Sequence, residues 1–256
     1  MREPRSSPQL HARRVTVLAG LALAVVAGCA PGGSADEEYR KSQDAFREQN
    51  WAAAVAAARR ATEIDPRHAD AWFTLGRAAA RQGDWDEAMG AYERVLSLEP
   101  RNAKALNNLA NVHFRQGRFD QAELWYARAL AIDPDYLLAL FHHGWVLRQL
   151  NRNAEAERAF RHCLEVRPSD PASGQTHGDC LFFLGTLRFR AEDYAQAAAI
   201  FEQVVAALPT HPEARHQLGL AYRHLNRPAD AERELAAHKE LLRTRRSQPI
   251  QMGDEP

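Results

Sequence analysis

The chain has 256 residues, and its 33 Lys+Arg balance 33 Asp+Glu, leaving no net charge at neutral pH. That balance excludes a nucleic-acid-binding surface, which needs a concentrated basic excess. The Ala-, Glu- and Arg-rich composition favours helix. The first predicted element is a targeting segment. Arg2, Arg5, His11, Arg13 and Arg14 form a basic start, and a largely apolar run follows from Val15 to Ala27. A spanning helix wants about 20 apolar residues, so the shorter run reads as the hydrophobic region of a secretory signal.

The end of that run is more specific. Val26-Ala27-Gly28-Cys29 resembles the bacterial lipobox, in which small residues precede a cysteine that is lipidated and becomes the mature N-terminus. The resemblance implies a signal peptide over 1–28 and lipid attachment at Cys29. The several acyl chains of such a group anchor stably where one is marginal. In Gram-negative lipoproteins an Asp after the cysteine resembles an inner-membrane retention signal; Ala30 stands there instead, which implies the periplasmic face of the outer membrane. Arg13-Arg14 also resembles a twin-arginine export signal, although Thr16 stands where that motif wants a bulky apolar residue. Residues 29–35 read as a short flexible linker.

Beyond the linker, Pro66, Pro100, Pro134 and Pro168 stand 34 residues apart. A fixed period of this length marks a supersecondary unit that buries its apolar face only by stacking on a neighbour. Between Ala69 and Asn102 the pattern is Trp72-x2-Leu75-Gly76, then Ala88-x3-Tyr92, Val95 and Pro100. It recurs as Leu109, Ala110, Ala122, Tyr126, Ala129 and Pro134, and again as His143, Gly144, Ala156, Phe160, Cys163 and Pro168. These offsets resemble the tetratricopeptide repeat. The resemblance implies an all-α, right-handed superhelical solenoid of about six helix-turn-helix units over residues 36–243, with 244–256 as a disordered tail. The next matching proline, Pro209, comes after a step of 41, and the surplus, residues 171–177 (PASGQTH), has the composition of a loop. Gly83, Gly117, Asn151 and Asn226 fall at equivalent places between paired helices, where a left-handed residue ends the first helix. Glu192 breaks that series. The first unit is irregular, since Glu38, Lys41 and Ser42 occupy its usual core offsets.

In this family the first helix of each pair lines a concave groove, and its ligand-facing offsets fall here on particular residues. In the third unit they include Lys104, Asn107, Asn108, Asn111, Phe114 and Arg115. Asn side chains both donate and accept, so Asn108 and Asn111 suit an extended peptide backbone; Asn at these offsets is also common in the family pattern. In the next two units the same offsets carry Leu138, Phe141, Trp145, Phe182, Phe183 and Phe189, an aromatic cluster of the kind that marks an interaction surface. The other reading is packing of some of them against the adjacent first helix or a neighbouring subunit. Arg47, Arg81, Arg115 and Arg190, with Arg148 and Arg223 one place earlier, form a basic ladder. It suits either an acidic ligand or the last-turn carbonyls and dipole of each helix.

With Cys29 assigned to lipid, Cys163 and Cys180 form an even pair in an oxidising compartment. They are read either as a disulfide or as buried thiols; a zinc site on His162, Cys163, His177 and Cys180 is the rival assignment. No haem-attachment motif, glycine-rich phosphate loop or nucleophile motif occurs in the sequence, so no cofactor is expected. The sequence therefore reads as a non-catalytic scaffold, tethered to the membrane by lipid, that binds a segment of a protein partner. Its length, anchor and repeat number resemble the pilotin-type lipoproteins of type IV and Tad pilus assembly. A metal-binding or enzymatic protein using the His/Cys quartet, and a self-oligomerising scaffold, are the alternatives.

Overall fold

A computed structural model describes residues 33–167 and 171–247. Cys29 and the leader lie outside the described residues, as do Pro168 and the end of the expected tail. Twelve helices and no strands occur among the described residues, in six antiparallel pairs. They are α1 (Ala35–Arg47) with α2 (Trp51–Ile64), α3 (Ala69–Gln82) with α4 (Trp85–Leu98), and α5 (Ala103–Arg115) with α6 (Phe119–Ile132). There follow α7 (Leu137–Gln149) with α8 (Asn153–Glu165), α9 (Pro171–Arg190) with α10 (Tyr194–Ala207), and α11 (Pro212–His224) with α12 (Pro228–Ser247). None of the described helices is long and apolar enough to cross a membrane.

The turn inside each pair is set by one left-handed residue: Gln49, Gly83, Gly117, Asn151, Glu192 and Asn226, with φ between 56° and 79°. Glycine and asparagine adopt this conformation readily, whereas Gln49 and Glu192 do so at a cost of about 1 kcal/mol. The closing hydrogen bonds explain why they hold it. At the fifth turn the Glu192 N–H donates to the Phe189 carbonyl (3.0 Å) and the Asp193 N–H to the Arg188 carbonyl (3.0 Å), capping the last carbonyls of α9.

Small residues let the paired helices approach. At Gly144 an added Cβ would lie 2.7 Å from the Phe160 ring, and the same holds at Gly185 against Phe201. The core therefore runs along the array as a row of fully buried rings and alanines, Tyr92, Tyr126, Phe160 and Phe201 at successive pairs. First helices of neighbouring pairs touch (α1 with α3, α3 with α5, α5 with α7, α7 with α9), whereas second helices do not. The first helices therefore form the inner, concave side of the stack.

Both end repeats carry a buried carboxylate. In α1, Glu38 is 6% exposed and accepts hydrogen bonds from Lys41 Nζ (2.7 Å) and Arg60 Nε (2.6 Å). These bonds, Lys41's first, hold its carboxyl below the usual range. Ser42 is fully buried and donates to the Tyr39 carbonyl at 2.6 Å. The irregular first unit is thus a complete helix pair whose polar core positions are satisfied internally. At the other end Glu234 accepts from Arg215 (2.8 Å) and Arg233 (3.2 Å).

Two expectations are corrected. Residues 171–177 are not a loop: they form the first two turns of α9, which is 20 residues long where the other first helices have 13 or 14. Packing outweighs their loop-like composition, since Thr176 is buried on this segment, and proline suits the first turn of a helix. The last helix also runs past residue 243, so residues 244–247 are helix rather than tail.

Candidate functional site

The concave face is built from the sides of α5, α7 and α9 that point away from their paired helices. The structure draws some of the expected groove residues together and separates others. Trp145 on α7 meets the Phe114 ring edge-on with centroids 4.4 Å apart, and Phe119, at the start of α6, at 6.3 Å. Phe183 on α9 lies 5.8 Å from Phe141 and stacks on the core ring of Phe160 at 5.7 Å. Between these groups the Arg148 guanidinium sits 4.8 Å from the centre of Phe183 and 5.7 Å from that of Trp145. Phe141, Trp145 and Phe183 thus form one half-buried surface over the core of the fourth repeat. Cation–π contacts of this sort contribute about 0.5–2 kcal/mol each.

Phe189 leaves this surface, and Phe182, although it meets Phe183 edge-on at 5.4 Å, turns its other ring contacts toward the last repeat. Phe182 packs against Phe201 (5.9 Å) and His211 (4.9 Å), and Phe189 against Tyr194 and His224, both as part of the core shared with the last repeat. The packing reading therefore describes these two better than the groove reading does. Leu138, at the first turn of α7, is 45% exposed.

The asparagines of α5 serve buried tyrosines. Asn111 Oδ1 accepts the hydroxyl of Tyr126 from the same repeat, and Asn108 is hydrogen-bonded to the hydroxyl of Tyr92 from the preceding one. Burial raises both phenols well above their ordinary range. Asn107 is 2% exposed, so it belongs to the core rather than to the groove. Arg115 is exposed in the last turn of α5. Its charge reinforces the effect of burial on His142, whose imidazole is pushed down to about 4.

Cys163 on α8 and Cys180 on α9 are joined as a disulfide, with their Cα atoms 6.7 Å apart, and both are fully buried. The bond ties the fourth repeat to the extended helix of the fifth, directly behind the aromatic surface. It also removes the rival zinc assignment. The two cysteines are bonded to each other, and His162 points at Asp135, with Nε2 2.9 Å from Oδ1. No group of three or more metal-ligating side chains occurs among the described residues. Sequence reasoning missed Phe119 and the placement of Arg148. The signal for Arg148 was its offset, since it stands where the first, third and fifth repeats have Phe46, Phe114 and Phe189.

Family models described as tetratricopeptide repeat match residues 39–97 and 74–136, 138–170, and 188–246. The chain belongs to the tetratricopeptide repeat family. Solved tetratricopeptide structures of similar architecture include PilF of Pseudomonas aeruginosa, at 19% identity and a TM-score of 0.67, the alignment covering 84% of this chain and 93% of that one. A tetratricopeptide repeat protein from Parabacteroides merdae aligns at 23% identity and a TM-score of 0.65, over 85% of this chain and 82% of that one. YrrB, described as having an unusual peptide-binding site, aligns at 19% identity and a TM-score of 0.58, over 77% and 94%. Comparison with curated protein sequences gives no significant match. At these identities the likeness establishes the fold, and tetratricopeptide arrays of this kind are protein-interaction scaffolds.

Proposed function

We propose that this protein is a non-catalytic adaptor, lipid-anchored at Cys29 on the periplasmic face of the outer membrane, that holds a segment of an envelope-assembly component in its concave groove. The observation that carries the reading is the half-buried surface of Phe141, Trp145 and Phe183. Aromatic rings left partly uncovered on the inner side of a solenoid supply contact area with little side-chain entropy to lose on binding. The peptide-binding site named for YrrB supports groove binding. The architecture shared with PilF supports a place in pilus or secretin assembly. The anchor rests on Val26-Ala27-Gly28-Cys29 followed by Ala30.

The test has two arms. Wild-type protein should fractionate with outer membranes and carry an acyl mass at Cys29, and Cys29→Ser should release it in soluble form; an unmodified, soluble wild type defeats the anchor. In crosslinking from envelope extracts, Trp145→Ala should lose the main partner while keeping its helical content. Undiminished capture by that variant would remove the groove from the proposal.

A further inference from the structure

The charges on the first helices that carry the aromatic surface are one-sided. Helices α5 and α7 contain no acidic residue, and the described side chains of α9 include only Asp179, which is engaged by Gln175 (3.3 Å) and His211 (3.9 Å). By contrast α1 and α3 carry Asp36, Asp44 and Asp70, and Arg47 pairs with Asp44 within its own last turn. On the intervening second helices Glu123 is paired with His143 and Arg152, and Glu157 with Arg161 and Arg188.

Arg148 is the anomaly within this field. It replaces an aromatic ring at its offset, and its Nε is buried without a hydrogen-bond partner among the described residues. Its own burial and then the positive charge of Arg190 hold the guanidinium below its usual range. A last-turn cation that merely complements the helix dipole would be exposed and solvated. A guanidinium pressed between two rings beside a like charge instead lacks the anion that would satisfy it.

We infer that the groove selects a partner segment carrying an aspartate or glutamate side chain, which seats between Arg148 and Arg190 above Trp145 and Phe183. This rests on the groove reading and adds to it a chemical class of ligand. The carboxylate supplies both charge complementarity and bidentate acceptor geometry to the guanidinium, while apolar residues flanking it cover the two rings.

A displayed library of random peptides, panned on the immobilised full chain, tests this whatever the natural partner is. Selected sequences should be enriched in Asp and Glu, and replacing the acidic residue of a selected peptide by Gln should weaken binding by about tenfold or more. Arg148→Gln should abolish the preference for Glu over Gln. Arg190→Gln, at an exposed position that does not threaten folding, should reduce it. Binders that are lost in Trp145→Ala but show no acidic enrichment overturn the charge selection and leave the groove reading standing. An acidic preference that survives both arginine substitutions overturns the assignment to this site, and failure to select any peptide overturns both readings.

Discussion

Helices α2 to α5 and helices α6 to α8, which lead to the joint between the fourth and fifth repeats, follow the same period but are stabilised differently. In α2 to α5 each helix start is held by its own side chain: Asn50, His68, Asp84 and Asn102 accept from the backbone N–H three residues on, at 2.9–3.3 Å. Helices α6 to α8 lack this, whereas α10, beyond the joint, is again capped, its Gln196 N–H donating to Asp193 Oδ1 (3.1 Å). Arg118, Tyr136 and Arg152 precede α6, α7 and α8 and make no side-chain cap. The joint relies instead on the Cys163–Cys180 bond and on rings packed over it. Helix α7, which carries Phe141, Trp145 and Arg148, is one of the three that start without a side-chain cap, as expected where binding elements come from the low-stability end of a fold.

Breaking the disulfide gives the largest expected effect on this contrast. It closes a 17-residue separation, and loops of that size contribute about 3 kcal/mol through the unfolded state. Cys163→Ala/Cys180→Ala should raise amide exchange across α8 and α9 while α3 to α6 remain protected; uniform loosening of all repeats would contradict a locally stapled joint.

The next effect, on the order of 2 kcal/mol, concerns pH. Burial, with help from Arg115, holds His142 at about 4 in the folded chain, against an ordinary 6.5. As pH falls the unfolded chain takes up the proton first. The stability linked to this residue is therefore complete above pH 6.5, declines as pH falls, and is gone below about 4. Denaturant melts across that window should show the loss, and His142→Phe should flatten it. An identical pH slope in the variant would place the titration elsewhere.

The smallest change would sharpen the comparison by erasing part of it. Arg118→Asp places at the start of α6 the residue type that caps α4, with an expected gain of about 1 kcal/mol. Thermal melts should rise, and exchange at the first turn of α6 should slow. No change would mean that the uncapped start is already satisfied by other contacts.

Much of this architecture was legible in the sequence because it is periodic. The proline ladder, the left-handed turn residues and the small residues at helix crossings depend only on offsets, so the six pairs follow from spacing. The same reasoning read residues 171–177 as a loop, because Gly174, Ser173 and Pro171 look like turn chemistry in isolation. Contacts distant in sequence, including Thr176 within the core, make the segment helical. The candidate site was half legible. Offsets placed Trp145 and Phe183 on the inner side, but they could not separate Phe182 and Phe189, whose partners Phe201, His211 and His224 come from later elements. They could not show that Asn108 and Asn111 satisfy tyrosine hydroxyls. Nor could they reveal the isolation of Arg148, which depends on a ring in the next repeat and on the absence of acidic residues from two helices.

The disulfide also fixes a stoichiometry. Of three cysteines, Cys163 and Cys180 are joined, which leaves Cys29 as the single cysteine outside the crosslink. Under the proposed anchoring, a reactive count of one in the oxidised chain would mark an unacylated Cys29, and a count of zero its acylation or removal. The internal crosslink thus makes thiol counting a direct test of the proposed attachment.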